Sequence, residues 1–272
     1  KLMDQILRFG ATWPVPNSSA LPASIDCSQA SVRYVIDEEV AAICDRLVTH
    51  HFDMLVDMLS LARVPSSSFW LERVSFAENG EGGRSRLGCS VLASESGRAG
   101  EIVLVAEVPD SVPVVLPQKV VFNFDGHLIQ QDGDALFRLP IAPTADTEQK
   151  IVSEVFAIEL HPGWEKYYRF AQQESQLVGQ MKAELSASVY DGLFILAFSV
   201  LLSSERSFRE INVQLDRLNR HRVMAGRHKL LDHIEVKSSL FGASQGKVHG
   251  GGKDDGERSF PRLHVVRGHF VR

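Results

Sequence analysis

A chain of 272 residues, 44% hydrophobic and 23% charged, is long enough to bury a core without disulfides or a structural metal. At roughly 100–200 residues per domain it holds one large domain or two small ones. The formal net charge is -5, and it is unevenly placed. Residues Glu205 to Arg272 carry 14 Lys and Arg against 8 Asp and Glu, and six of the ten histidines. The division expected is an acidic α+β body over residues 1–204 and a basic, His-rich segment over 205–272 packed on that body. An acidic body with a basic end points to an anionic partner for the basic end, or to a solvated basic face. Cys27, Cys44 and Cys89 are far apart and form no CxxC pair, which argues against a zinc ribbon or a disulfide framework and for a reducing, cytoplasmic setting.

In chain order, residues 1–30 read as an irregular arm, because Pro14, Pro16 and Pro22 punctuate a Ser-rich stretch. No apolar run follows the first residues, so no signal peptide is visible there. Residues 37–62 carry apolar side chains at a helical period from Val40 to Ala62, with Asp37, Glu38 and Glu39 at the start and Pro65 beyond the end. Residues 68–140 read as strands: Phe69 to Val74, Leu87 to Ala93, Ile102 to Val108, Val112 to Phe124 and Ala135 to Ile141. The short spacing leaves little room for crossover helices, so the sheet is expected to be mostly antiparallel. Asp125-Gly126 is a turn signal. Residues 146–203 return to a helical pattern broken at Pro162-Gly163. The apolar run Leu193 to Leu202 is too short for a bilayer, which takes about 20 residues, and reads as a buried helix. No membrane association is expected. Residues 206–222 read as a further helix, Leu231 to Lys237 as a short strand, 242–258 as a loop, and Arg262 to Arg272 as one more strand. The chain stops inside that last pattern, so the natural protein is expected to continue.

Two constellations carry candidate chemistry. The first is Arg220, His221, Arg222, Arg227, His228 and Lys229, at a helix end and the turn after it, with Gly226 as a left-handed cap. Cations there favour the helix dipole in their own right. They also suit phosphate contact, because the Arg fork makes paired hydrogen bonds. The second is the run from Arg262 to Arg272. On a strand, His264 and His269 share a face only if Gly268 makes a bulge. They would then serve as acid and base on a phosphodiester, with Arg267 stabilising charge, and Arg262 and Arg272 would add phosphate contacts. The alternatives are a structural or binding role and, at an unusual spacing, metal ligation. His50 and His51 have no second ligand or carboxylate partner in the pattern, and read as core or surface residues. No GxSxG, HExxH or P-loop is present, and no cofactor is named by any motif.

The order of features resembles a family of phage- and prophage-encoded proteins of temperate phages. A proline leading into a "W.E" strand is matched by Pro65, Trp70 and Glu72. A helix end of the form "LN..R...GK..L" is matched by Leu218, Asn219, Arg222, Gly226 and Leu230, with Arg227 where lysine is expected. A "RLH..RGH.R" run is matched by Arg262, Leu263, His264, Arg267, Gly268 and His269, and one place late by Arg272. The resemblance implies a phage setting and leaves the reaction open.

The expectation is an α+β fold, a mostly antiparallel sheet with helices packed on one face. The function expected is nucleic-acid binding through the basic segment, with a host-protein inhibitor and a metal-independent nuclease as alternatives. The partner expected is therefore nucleic acid or a host protein. The sequence does not set the oligomeric state.

Overall fold

The computed structural model describes residues 1–9, 30, 32–75, 85–107, 112–126, 138–139, 154–161, 175–203 and 207–238. The fold is α+β. Its strands are β1 (Val32–Ile36), β2 (Ser68–Ser75), β3 (Ser85–Ala93), β4 (Ala99–Ala106), β5 (Val114–Asn123), β6 (Arg138–Leu139), β7 (Phe156–Leu160), β8 (Phe208–Val213) and β9 (His233–Ser238). Its α-helices among the described residues are α1 (Leu2–Phe9), α2 (Glu38–His50), α3 (Phe52–Asp57), α4 (Ser175–Leu202) and α5 (Asp216–Met224). Among the described residues, these nine strands join one sheet in the order β6-β7-β5-β4-β3-β2-β1-β9-β8.

The sheet is mixed. β2 through β5, then β7 and β6, pair antiparallel, as do β8 and β9. β1 is parallel to both of its neighbours, β2 and β9. The sheet is thus mostly antiparallel, as expected, and the exception is β1, which follows the arm read over 1–30 and to which the sequence reading assigned no element. The parallel β1–β2 pair needs a crossover, and α2 and α3 supply it. Residues 207–238 place β8 and β9 in the same sheet as the rest, so the basic segment begins inside the body's own hydrogen-bonded frame.

The helix expected over 37–62 is interrupted. Asp37 caps α2 by accepting a hydrogen bond from the Val40 amide at 2.9 Å. At His51 the backbone leaves helical geometry, with φ -134° and ψ 39°, and α3 and a 3₁₀ turn (Leu59–Leu61) complete the run. Apolar periodicity survives such a break, because each short piece still turns its apolar side inward.

Strand alternation sorts the side chains onto two faces. On one, Phe69, Leu71, Ile102, Leu104, Phe122 and Phe156 meet α2, α3 and α4. From α4, Phe194, Ile195 and Phe198 are fully or almost fully buried, as the Leu193–Leu202 run required. Burying each such side chain contributes about 1.5–3 kcal/mol. On the other face, Trp70, Val103, Val105 and Val115 meet Leu2, Met3 and Ile6 of α1. The N-terminal residues thus form a helix, correcting the reading of an irregular arm up to Phe9. The downstream prolines masked a one-sided pattern in which Leu2, Met3 and Ile6 fall together. Trp70 and Glu72, the "W.E" pair, both point toward α1, and the buried Glu72 carboxylate accepts from the Met3 amide at 3.2 Å and from Arg86 at 3.1 Å.

Residues 206–222 are not one helix. Phe208, Ile211 and Val213 belong to strand β8, and helix begins only at Asp216. β-branched Ile211 and Val213 with Phe208 suit a pleated surface, and pairing with β9 decides the outcome. The strand expected near Leu231 to Lys237 is β9. Among the described residues, no helix is long and apolar enough to cross a membrane.

Candidate nucleic-acid interface

α5 and the loop after it connect β8 to β9 at the end of the sheet. The helix stops in a Schellman motif. Gly226 takes φ +66°, the Arg227 amide donates to the Arg222 carbonyl at 2.8 Å, and the Gly226 amide donates to Val223 at 3.0 Å. This is the left-handed cap expected at Gly226. The loop is then pinned back on the helix. The Asn219 side-chain amide donates to the Leu230 carbonyl at 2.9 Å and accepts from the Leu230 amide at 2.8 Å. Arg222 Nε donates to the His228 carbonyl at 2.8 Å. Asp232 accepts from the Leu215 amide at 2.8 Å, closing the unit at its base.

These contacts divide the expected phosphate residues. At 100° per residue, Arg217, Arg220, His221 and Met224 lie on one arc of α5, and all four are exposed. Met224, 85% exposed, forms the apolar tip of that face. Arg227 and Lys229 are exposed on the loop. Arg222 is half-buried and committed to the loop carbonyl, so its first task is structural. Arg262, Arg272, His264, His269 and Arg267 lie outside the described residues.

A groove of about 490 Å³ runs between α1 and this unit. Arg8, Arg222, His228 and Lys229 line it on the cationic side, and Val213, Leu215 and Leu230 supply apolar surface. Its far wall is a polar network. Asp4 accepts from the Leu231 amide at 3.2 Å, tying α1 to the loop. His233 Nδ1 donates to the Leu231 carbonyl at 3.1 Å, which leaves Nε2 to accept from the Lys1 ammonium. Lys1 also meets Glu235 at 3.7 Å. Burial lowers the Lys1 ammonium from its ordinary value, with Glu235, Glu72 and Asp4 acting against it. Sequence reasoning missed Arg8, Asp4 and His233 as groove residues. The signal was the amphipathic pattern of residues 2–9, which places Asp4 and Arg8 one turn apart.

A second charged cluster lies on the other face, beneath α2 and α4. Arg73 pairs with Asp191 at 2.5 Å, stands 3.8 Å from Asp45, and lies over the Phe194 ring at 4.2 Å. Tyr190 donates to Asp45 at 2.5 Å. Burial opposes the charge on Arg73, but Asp191 and its neighbours outweigh it and raise the Arg73 pKa. The pair is enclosed by helix and sheet and positions α4; it offers no surface to a ligand. Cys44 and Cys89 are free, buried thiols whose pKa values burial pushes up. Among the described residues, no group of His, Cys, Asp or Glu is arranged to hold a metal ion.

Comparison with protein-family models, with characterised proteins and with solved structures finds no match.

Proposed function

We propose that this protein is a phage accessory protein that binds nucleic acid through α5 and the loop after it. The observation that carries the reading is the outer face of α5. Arg217, Arg220 and His221 stand on one exposed arc, and Arg227 and Lys229 follow on a loop held by its own hydrogen bonds. Arginines three residues apart on a helix have Cβ atoms about 5–6 Å apart, a spacing that lets two guanidinium groups reach one stretch of backbone phosphates. A rigid loop loses little conformational freedom on binding. The phage setting rests on the resemblance of Pro65, Trp70, Glu72 and the 218–230 pattern. A reducing, cytoplasmic workplace accords with the free thiols of Cys44 and Cys89.

The test is binding of labelled RNA and DNA at low and at moderate salt, with the double variant Arg217→Glu/Arg220→Glu beside the parent. Affinity should fall steeply with salt, and the double variant should bind at least about tenfold more weakly. Salt-independent affinity, or none at low salt, would sink the reading. Cutting of the labelled strand, abolished by His264→Ala or His269→Ala, would turn the binder into the metal-independent nuclease.

A second reading, docking of a host protein, is favoured by Leu218, Val223 and Met224, which are 47%, 50% and 85% exposed on the same helix. Reproducible capture of one host protein, lost in Met224→Ser and indifferent to salt, would favour it over nucleic acid.

A further inference from the structure

We infer that the groove between α1 and the β8–α5–β9 unit is a binding site for a nucleoside monophosphate group, free or at the end of a strand. It is distinct from the outer face of α5, and it stands whether or not that face binds nucleic acid.

The groove has the size and chemistry for such a ligand. Its volume, about 490 Å³, lies in the usual range for small-molecule sites. Arg8 from α1 with Arg222 and Lys229 from the α5 unit line it together, although they come from the two ends of the described chain. Three cations facing one concavity suit a phosphate group, which offers several acceptor oxygens and a double charge. Val213, Leu215 and Leu230 supply apolar lining against which a base can pack. Asp4 and Glu235 are acceptors for ribose hydroxyls or exocyclic amino groups. A simple anion site would need neither the apolar patch nor the acceptors.

The walls are fixed before any ligand arrives. Arg222 Nε is held by the His228 carbonyl at 2.8 Å, so its guanidinium does not swing freely. Asp4 is held by the Leu231 amide at 3.2 Å, and the Leu230 backbone by both ends of the Asn219 amide. Preorganised donors and acceptors keep more of their interaction energy for the ligand.

The experiment is calorimetric titration of the purified protein with adenosine, guanosine, cytidine and uridine 5′-monophosphates and with inorganic phosphate. Alongside, it uses oligonucleotide pairs that differ only in a 5′-phosphate. At least one monophosphate should bind, and Arg8→Gln and Lys229→Gln should each weaken it by about tenfold or more. Arg63→Gln, exposed and outside both surfaces, should leave that binding unchanged, and Arg217→Gln/Arg220→Gln should weaken it far less than Arg8→Gln does, which separates it from the proposed nucleic-acid face. A preference for the phosphorylated oligonucleotide would assign the site to strand ends, and indifference to it would assign the site to free nucleotides. No monophosphate binding at low salt would overturn the inference. So would affinity for inorganic phosphate equal to that for the nucleotides, or binding untouched in both Arg8→Gln and Lys229→Gln. Arg222 is left intact in these variants because it also braces the loop.

Discussion

Residue by residue, the pattern Leu218, Asn219, Arg222, Gly226 and Leu230 turns out to be a set of loop-building parts. Asn219 and Leu230 hold each other, Arg222 holds His228, and Gly226 supplies the positive φ. The pattern was legible in the sequence, but its meaning was not. Arg220 and Arg222 look equivalent in a string of letters, and two residues turn the helix by 200°, which puts one outward and the other against the loop. Asn219→Ala removes two hydrogen bonds, each contributing about 1 kcal/mol, so the Leu230 amide should exchange roughly ten- to thirtyfold faster while the rest of the sheet keeps its protection. A second residue-level prediction concerns His161. Burial, with Lys119 adding, lowers its pKa from 6.5 to about 4. The unfolded chain therefore takes up the proton first as pH falls. Stability tied to His161 is present above 6.5 and drains away between 6.5 and about 4. The midpoint of urea unfolding should fall less steeply across that window in His161→Gln than in the parent.

For single elements, the strands from β2 to β5 were readable because each alternates or runs apolar between turn residues, and α4 because its last turns are apolar at every position but Ser199. Three elements were misread for physical reasons. β7 (Phe156–Leu160) falls in the stretch read as helical, and its alternating burial and pairing with β5 make it a strand. β8 carries Ile211, which also fits a helical repeat with Leu215 and Leu218, and only its pairing with β9 removes the ambiguity. α1 is too short to stand alone, since isolated helices under about 12–15 residues are marginal, and it exists by packing on Trp70. That packing has a specific requirement on β3. A Cβ at Gly88 would lie 2.1 Å from Trp70 Cζ2, with Trp70 itself fully buried. Gly88→Ala should cost about 1–3 kcal/mol in thermal or urea unfolding, and α1 should lose protection before the rest. An unchanged melting temperature would mean that α1 does not anchor the ring.

At the scale of the molecule, the exposed arc of α5 and the loop after it form a cationic end among the described residues. Elsewhere on the sheet Lys119 is neutralised by its neighbours, between Glu101 and Glu159 at 2.6 and 3.3 Å. Surface pairs of that kind contribute little stability, but they cancel charge away from the α5 unit. If α5 contacts nucleic acid, each phosphate contact contributes roughly 0.7–0.9 to the slope of log affinity against log salt. Arg217→Glu/Arg220→Glu should reduce the slope by about 2 in a filter-binding titration, whereas the same change at Arg46 and Arg63, exposed and outside the α5 unit, should leave it alone.

The parallel pairing of β1 with β9, in which Tyr34 stands opposite Ile234, has a bearing on how the protein is born. During synthesis β1 emerges early and can pair with β2, but its other edge waits for almost the whole described chain to leave the ribosome. Until then a strand bearing Tyr34 and Ile36 presents open backbone groups to any passing strand. The β8–α5–β9 unit is therefore both the carrier of the proposed binding surfaces and, among the described strands, the last to join the sheet. Nascent chains stalled before His233 should aggregate or recruit chaperones, and release should be marked by the unit docking on β1.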